Sequence, residues 1–217
     1  MDATRLWFCR HGEVEHPWVG TFIGSTDVGL SDLGRHQAEA IRAYLEPAPI
    51  DAVIASPRKR ALDTIAPLAR AKGHKLDVRK GLAEMHFGKW EGKSWEDILA
   101  MDSDHAARWE QDPANTAPPG GGETANEFGE RVKTTLEEIV SEYKGRSIVM
   151  GTHAGTNRGV LAAILGRPYM EMFAYAQDYG CVNAVGWLSH GGFGQVALVN
   201  FVPGPPSQRQ GARKEER

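Results

Sequence analysis

Short apolar runs that break off at polar or turn-forming residues alternate with amphipathic stretches along most of this chain. The runs over 6–9, 52–55 and 147–150 are continuously apolar or nearly so, the pattern of strands covered on both faces. Residues 76–78 are a weaker strand candidate, and 182–188 and 195–202 read as two last strands with a turn at Gly191-Gly192. Helical patterns lie between them. Ser31 is a good N-cap for a helix over 32–45 with Ala38, Ile41 and Leu45 on one face, and Pro47 and Pro49 end it. Ser56 is placed to cap a second helix, with Pro57 at its first position and Leu62, Ile65, Leu68 and Ala69 as its apolar stripe. Residues 81–123 are less regular, and Trp95, Ile98, Leu99 and Trp109 point to short helices there. Thr124 and Glu127 form a capping box for a helix reaching Tyr143. A last helix over 155–165 stops at Gly166, with Pro168 beyond. This alternation predicts an α/β three-layer sandwich: a mainly parallel central sheet flanked by helices, with ligands at the carboxyl ends of the strands.

The length, 217 residues, suits one domain better than two. With 41% hydrophobic and 24% charged residues, the chain is neither disordered nor collagen-like. No apolar run approaches the roughly 18 residues of a membrane helix, so no membrane partner is expected. A net charge of −3 argues against a protein-wide nucleic-acid footprint. The start, Met1-Asp2-Ala3, lacks the basic region and long apolar stretch of a signal peptide, and the expected location is the cytoplasm. Cys9 and Cys181 lie in apolar runs and read as buried, reduced thiols. From Pro203 onward Pro, Gln, Arg and Glu dominate, so 1–202 is expected to be the domain and 203–217 a flexible tail.

Several familiar site patterns are missing. Gly88 and Gly92-Lys93-Ser94 imitate a phosphate-binding loop, but three residues separate the glycines where that loop needs four. There is no HExxH, CxxC or GxSxG, and neither a metal nor another cofactor is expected. The strand ends are more informative: Arg10-His11, Ser56 to Arg60, and Thr152-His153. A neutral imidazole is a competent nucleophile toward phosphorus, and nearby guanidinium groups disfavour its protonation. Guanidinium is also the group whose planar fork matches phosphate oxygens two at a time.

Four motifs, in order, carry a resemblance. Arg10-His11-Gly12-Glu13, Ser56-Pro-Arg-Lys-Arg60-Ala61-Leu-Asp-Thr64, the segment from Leu82 through Glu84 and Phe87-Gly88 to Gly92, and Gly151-Thr152-His153-Ala154-Gly155 are similar to those of the histidine phosphatase superfamily, the phosphoglycerate mutase-like proteins. The resemblance implies that His11 is the phospho-accepting histidine, Arg10 and Arg60 bind phosphate with His153, and Glu84 is the proton donor. Arg58 is the lesser claimant for the second arginine. Glu13 and Glu91 are the competing carboxylates for the acid role. Just after Glu84 comes an aromatic, glycine-containing segment suited to desolvating an acid. Many relatives carry Trp-Asn after the first motif, the Asn contacting phosphate; here His16-Pro17 stands there, and Ser25 or Thr26 is the expected substitute donor.

The implied partner is a small phosphomonoester, hydrolysed through a phosphohistidine. Alternatives from the same fold are a phosphomutase and a catalytically silent phosphate-binding protein. The segments at 24–27, 119–124 and 178–183 resemble α-ribazole-5′-phosphate phosphatases more than glycolytic mutases. Residues 95–128 are the expected lid. Its acidic side chains, among them Asp97, Glu110, Glu123 and Glu127, are expected to repel a doubly anionic substrate, and its only potential cations are His105 and Arg108.

Overall fold

The computed structural model describes residues 3–187 and 194–204. The expected turn at Gly191-Gly192 and the tail from 205 onward lie outside the described residues. Among those described, the strands β1 (Thr4–Arg10), β2 (Ala52–Ala55), β3 (Leu76–Val78), β4 (Ser147–Thr152), β5 (Val182–Trp187) and β6 (Gly194–Phe201) form one sheet. The order across it is β3-β2-β4-β1-β5-β6. The pairs β1·β4, β2·β4 and β2·β3 are parallel, while β5 runs antiparallel to both β1 and β6. The sheet is therefore mainly parallel, with β5 as its reversed strand.

Period-two alternation sorts the strand side chains onto two covered faces. Leu6, Phe8, Ile54, Ile148 and Met150 pack with Phe128 and Leu136 of α4 (Ala125–Glu142) and Leu161 of α5 (Ala154–Leu165). Cys9, Val53 and Val149 pack with Ile41 of α1 (Asp32–Leu45) and Ile65 and Leu68 of α2 (Lys59–Lys72). Each such buried side chain contributes about 1.5–3 kcal/mol of transfer free energy. Those two helix pairs, one on each face, make the three-layer sandwich.

Local signals start most of the helices. Ser31 Oγ accepts the Gly34 N–H at 3.0 Å, and Thr124 with Glu127 forms the expected reciprocal box. The start of α2 differs from expectation. Its N-cap is Arg58, without a side-chain cap bond, and Pro57 lies outside the helix. Ser56 Oγ is instead within 2.7 Å of His153 Nε2 at the neighbouring strand end, and it accepts the N–H of the N-cap Arg58 at 3.3 Å. The exposed amide of Lys59 is served by Asp27 Oδ1 at 2.7 Å, a cap supplied from a distant loop. The 95–111 region is a pair of short helical pieces, α3 (Trp95–Gln111), bent at Asp102, whose dihedrals are non-helical. Among the described residues no helix is long and apolar enough to cross a membrane. Cys9 and Cys181 are buried free thiols.

Candidate active site

Register brings three strand ends together. β1 and β4 pair Arg10 with Thr152, and β2 and β4 pair Ala55 with Gly151. The residues that follow, His11, His153 and Ser56, are consequently neighbours at one edge of the sheet. The His11 and His153 ring centres lie 5.2 Å apart.

His11 is buried and tightly fixed. Its Nδ1 is 2.8 Å from the Gly12 carbonyl oxygen. A carbonyl can only accept, so this partner assigns the proton to Nδ1 and leaves the lone pair on Nε2. Burial is the largest cause holding His11 well below the ordinary histidine range, with Arg60 and Arg10 adding to it. The lost hydration of the ring outweighs the two arginines. His153 is held down in the same way, by burial first and Arg60 next.

Gly12 is required by a close approach and not by its own dihedrals. It is absent from the positive-φ glycines, so the turn itself does not demand it. A Cβ there would stand 2.4 Å from the Gly34 carbonyl oxygen of α1, and this close approach of backbones is what demands glycine. The Gly12 N–H donates to Thr64 Oγ1 at 3.0 Å, which ties the turn to α2.

The two arginines are held from behind. Arg10 donates to the Gln177 carbonyl at 2.5 Å, and its guanidinium lies 3.7 Å from the centre of the Tyr179 ring. Gln177 is itself fixed by buried amide bonds with Asn157 and Asn183. Arg60 donates from its two terminal nitrogens to the Thr26 and Gly24 carbonyls, each at 2.7 Å. Burial brings Arg60 down to about 10, against the opposing pull of Glu84. It therefore stays charged at neutral pH. Arg10 Nε, Arg60 Nε and His153 Nδ1 are buried and have no hydrogen-bond partner among the described residues, as is also true of Arg58 Nε. Arg58 does not line the cleft; Arg60 does.

Glu84 enters from the loop after β3. Its oxygens accept the Met85 and Gly155 N–H groups, both at 3.0 Å. A Cβ on Gly155 would meet Glu84 Oε1 at 2.3 Å, so glycine at the start of α5 makes room for the carboxylate.

Ser25 and Thr26 do not join this cluster. Both hydroxyls donate to Glu91, at 2.8 and 2.5 Å, because a carboxylate is the strongest acceptor in their reach, and neither residue lines the cleft. Glu13 accepts from Ser31 Oγ at 2.8 Å and lies outside the cleft as well.

The cleft in front of His11 has a volume of about 270 Å³. Arg10, His11, Arg60 and Glu84 line it, together with two aromatic groups. One is Phe22 with Phe87 and Trp109, at ring separations of 4.9 and 6.2 Å. The other is Tyr169 with Phe173, 5.5 Å apart. Arg158 of α5 also lines the cleft; its Nε donates to the Tyr175 carbonyl at 3.1 Å. The sequence reading missed Arg158, although its place one helical turn after Ala154 was available as a signal. The expectation of an acidic lid facing the substrate is not met. Asp97 and Glu127 sit in capping boxes, Glu123 pairs with Arg131 at 2.7 Å, and Glu84 is the carboxylate that lines the cleft.

A sequence profile of the histidine phosphatase superfamily (branch 1) matches residues 6–201. The chain belongs to this superfamily. Adenosylcobalamin/alpha-ribazole phosphatase of Salmonella typhimurium is 28% identical over 196 residues, 90% of this chain and 96% of the relative. Glucosyl-3-phosphoglycerate phosphatase of Mycolicibacterium vanbaalenii is 31% identical over 175 residues, 77% of each chain. The crystal structure of the alpha-ribazole phosphatase from Shigella flexneri superposes with a TM-score of 0.84 at 26% identity, covering 92% of this chain and 98% of that one. This histidine phosphatase is accordingly a phosphomonoesterase, a hydrolase on the phosphoglycerate mutase-like α/β fold.

Proposed function

We propose that the enzyme moves the phosphoryl group of a small phosphomonoester first to His11 and then to water. His11 Nε2 attacks phosphorus while the bond to the alcohol oxygen breaks, and Glu84 passes its proton to that oxygen. Water then attacks phosphorus as the P–N bond breaks, and Glu84 takes up the proton. Arg10, Arg60 and His153 hold the three non-bridging oxygens in both steps, where positioning and electrostatics supply most of the rate.

The observation that carries this reading is the set of unpartnered buried nitrogens around His11: Arg10 Nε, Arg60 Nε and His153 Nδ1. A buried donor without a partner costs about 1–3 kcal/mol. Three phosphoryl oxygens would satisfy all three at once. In this scheme Ser56 O–H donates to His153 Nε2, which leaves the proton on Nδ1 to face phosphate. The arginines supply the positive charge, so the scheme uses no metal or organic cofactor. Ser25 and Thr26 donate nothing to the phosphoryl group in it, since their hydroxyls are taken by Glu91.

The aromatic groups of the cleft suit an alcohol carrying a flat apolar ring. That favours α-ribazole 5′-phosphate, with its benzimidazole, over a glycosylated glycerate, in keeping with the name of the Salmonella relative. The 95–128 insertion is proposed as the lid, because α3 delivers Trp109 to the cleft. The two buried unpaired thiols fit a reducing compartment, and we place the enzyme in the cytoplasm.

The test is one panel run with wild type and Glu84→Gln in EDTA. It holds p-nitrophenyl phosphate, α-ribazole 5′-phosphate, glucosyl-3-phosphoglycerate, and 3-phosphoglycerate with a trace of the 2,3-bisphosphate. The expected result is phosphate release with the highest kcat/KM on α-ribazole 5′-phosphate. Glu84→Gln should cost roughly 10²-fold or more on that ester and far less on p-nitrophenyl phosphate, whose leaving group needs little protonation. Equal losses on both esters would remove Glu84 as the donor. A preference for the glycerates would contradict the substrate reading, and isomerisation without phosphate release would overturn hydrolysis.

A further inference from the structure

Glu91 stands outside the cleft, yet it is the acceptor at the centre of a dense set of bonds. Its side chain is only 11% exposed. Oε1 accepts the Ser25 N–H at 2.7 Å, the Ser25 hydroxyl at 2.8 Å and the Phe87 N–H at 3.2 Å. Oε2 accepts the Thr26 N–H at 2.8 Å and the Thr26 hydroxyl at 2.5 Å. Burial pushes the carboxyl up, but these bonds outweigh it and hold Glu91 below the ordinary carboxylate range. All five of these bonds come from donors, and His86 Nε2 lies 3.8 Å from Oε1, so the ionised form is the one these bonds fit.

The same short loop has a second set of bonds on its carbonyls. Gly24 O and Thr26 O take the two terminal nitrogens of Arg60. The amides of 25 and 26 thus turn to Glu91 while the carbonyls of 24 and 26 grip the guanidinium. Gly24 shows how tightly the carboxylate is seated. Its φ is +54°, and a Cβ there would meet Glu91 Oε1 at 2.4 Å.

We infer that Glu91 is a positioning residue for phosphoryl binding: its carboxylate orders the 24–26 backbone, and that backbone aims Arg60. The inference rests on the proposed role of Arg60 in holding phosphoryl oxygens. Through the Phe87 amide the carboxylate also tethers the segment that carries Glu84, so one side chain sets the spacing between the phosphate site and the proton donor. A glutamine cannot replace it. Its oxygen can serve one side, but its NH₂ must then face the Thr26 amide or those of Ser25 and Phe87, donor against donor.

The experiment is a double-mutant cycle of wild type, Glu91→Gln, Arg60→Ala and the double variant, assayed on p-nitrophenyl phosphate. This ester reports phosphoryl binding with little demand on Glu84. kcat/KM, inhibition by inorganic phosphate and Tm are measured for each. Glu91→Gln should lower kcat/KM at least tenfold and weaken phosphate inhibition where Arg60 is present, and change kcat/KM less than twofold in the Arg60→Ala background. The same fold loss in both backgrounds would overturn the inference, because Glu91 would then act independently of Arg60. If circular dichroism shows Glu91→Gln to be unfolded, Ser25→Ala/Thr26→Val takes its place in the cycle. That pair removes two of the donors and keeps the carboxylate. A loss of threefold or more that vanishes without Arg60 supports the inference, and an equal loss in both backgrounds overturns it. Near-wild-type kcat/KM for Arg60→Ala alone would instead strike at the role given to Arg60 in the proposed function.

Discussion

A histidine kept neutral by its surroundings leaves a mark on pH dependence. His11 and His153 are both held well below the ordinary histidine value of about 6.5 when folded. In the unfolded chain they protonate near 6.5; in the native state they do not. Below that pH the unfolded state binds more protons, so stability falls as pH drops from about 6.5 toward the depressed native values. Each histidine contributes a slope of about 1.4 kcal/mol per pH unit across that window. Denaturant unfolding between pH 7.5 and 5 should show the decline, and His11→Gln/His153→Gln should flatten it by roughly twice that slope. The acid limb of kcat/KM should likewise lie well below 6.5. A limb at 6.5, or an unchanged slope in the double variant, would contradict the neutral pair. At this scale the local motifs were legible: the fold brings Arg10, His11, Arg60 and Glu84 to one cleft, and the buried His153 ring lies 5.2 Å from that of His11 without lining it. Ser25 and Thr26 were misread because the carboxylate that claims their hydroxyls comes from position 91, far along the chain. Arg158 was missed because it stands one helical turn beyond the fourth motif, outside the residues that carry the resemblance.

The elements were set largely by local chemistry. Continuous apolar runs became the central strands, and capping residues marked the starts of α1 and α4. The start of α2 was not legible, because its cap is Asp27 and its nearby serine serves His153. Propensity at 56–57 lost to a contact across the sheet. The Gly12 turn shows the same limit. Its glycine answers to α1, since a Cβ would lie 2.4 Å from one Gly34 backbone atom and 2.8 Å from another. No rotamer can relieve a clash with backbone. Gly12→Ala should therefore shift α1 or the Arg10-His11 turn, costing about 2 kcal/mol of stability and lowering kcat with it. Gly186→Ala is the control, because a Cβ there meets nothing within 4 Å among the described residues. Urea unfolding and turnover measured on both variants check this. Equal stability of the two would show that the Gly12–Gly34 approach is not tight.

Across the whole molecule, the sheet order places residues from three distant segments around one nucleophile. β1 and β2 flank β4, so the first, second and fourth motifs converge, and the loop after β3 carries the third across to α5. Strand–helix alternation was enough to foresee the layers and the active edge. The walls of the cleft were not foreseeable. Phe22, Phe87, Trp109, Tyr169 and Phe173 come from separate segments with no shared spacing, and only the fold gathers them. The acidic insertion misled for a related reason, since several of its carboxylates are used in helix caps and an ion pair. The central claim is covalent transfer to His11 followed by hydrolysis. Its most direct test is to mix enzyme with ³²P-labelled phosphomonoester, quench within a turnover, and map the label. The account predicts acid-labile, base-stable label on His11 of the wild type, and neither label nor turnover in a folded His11→Ala. Turnover by His11→Ala comparable to wild type, or label at another residue, would contradict it.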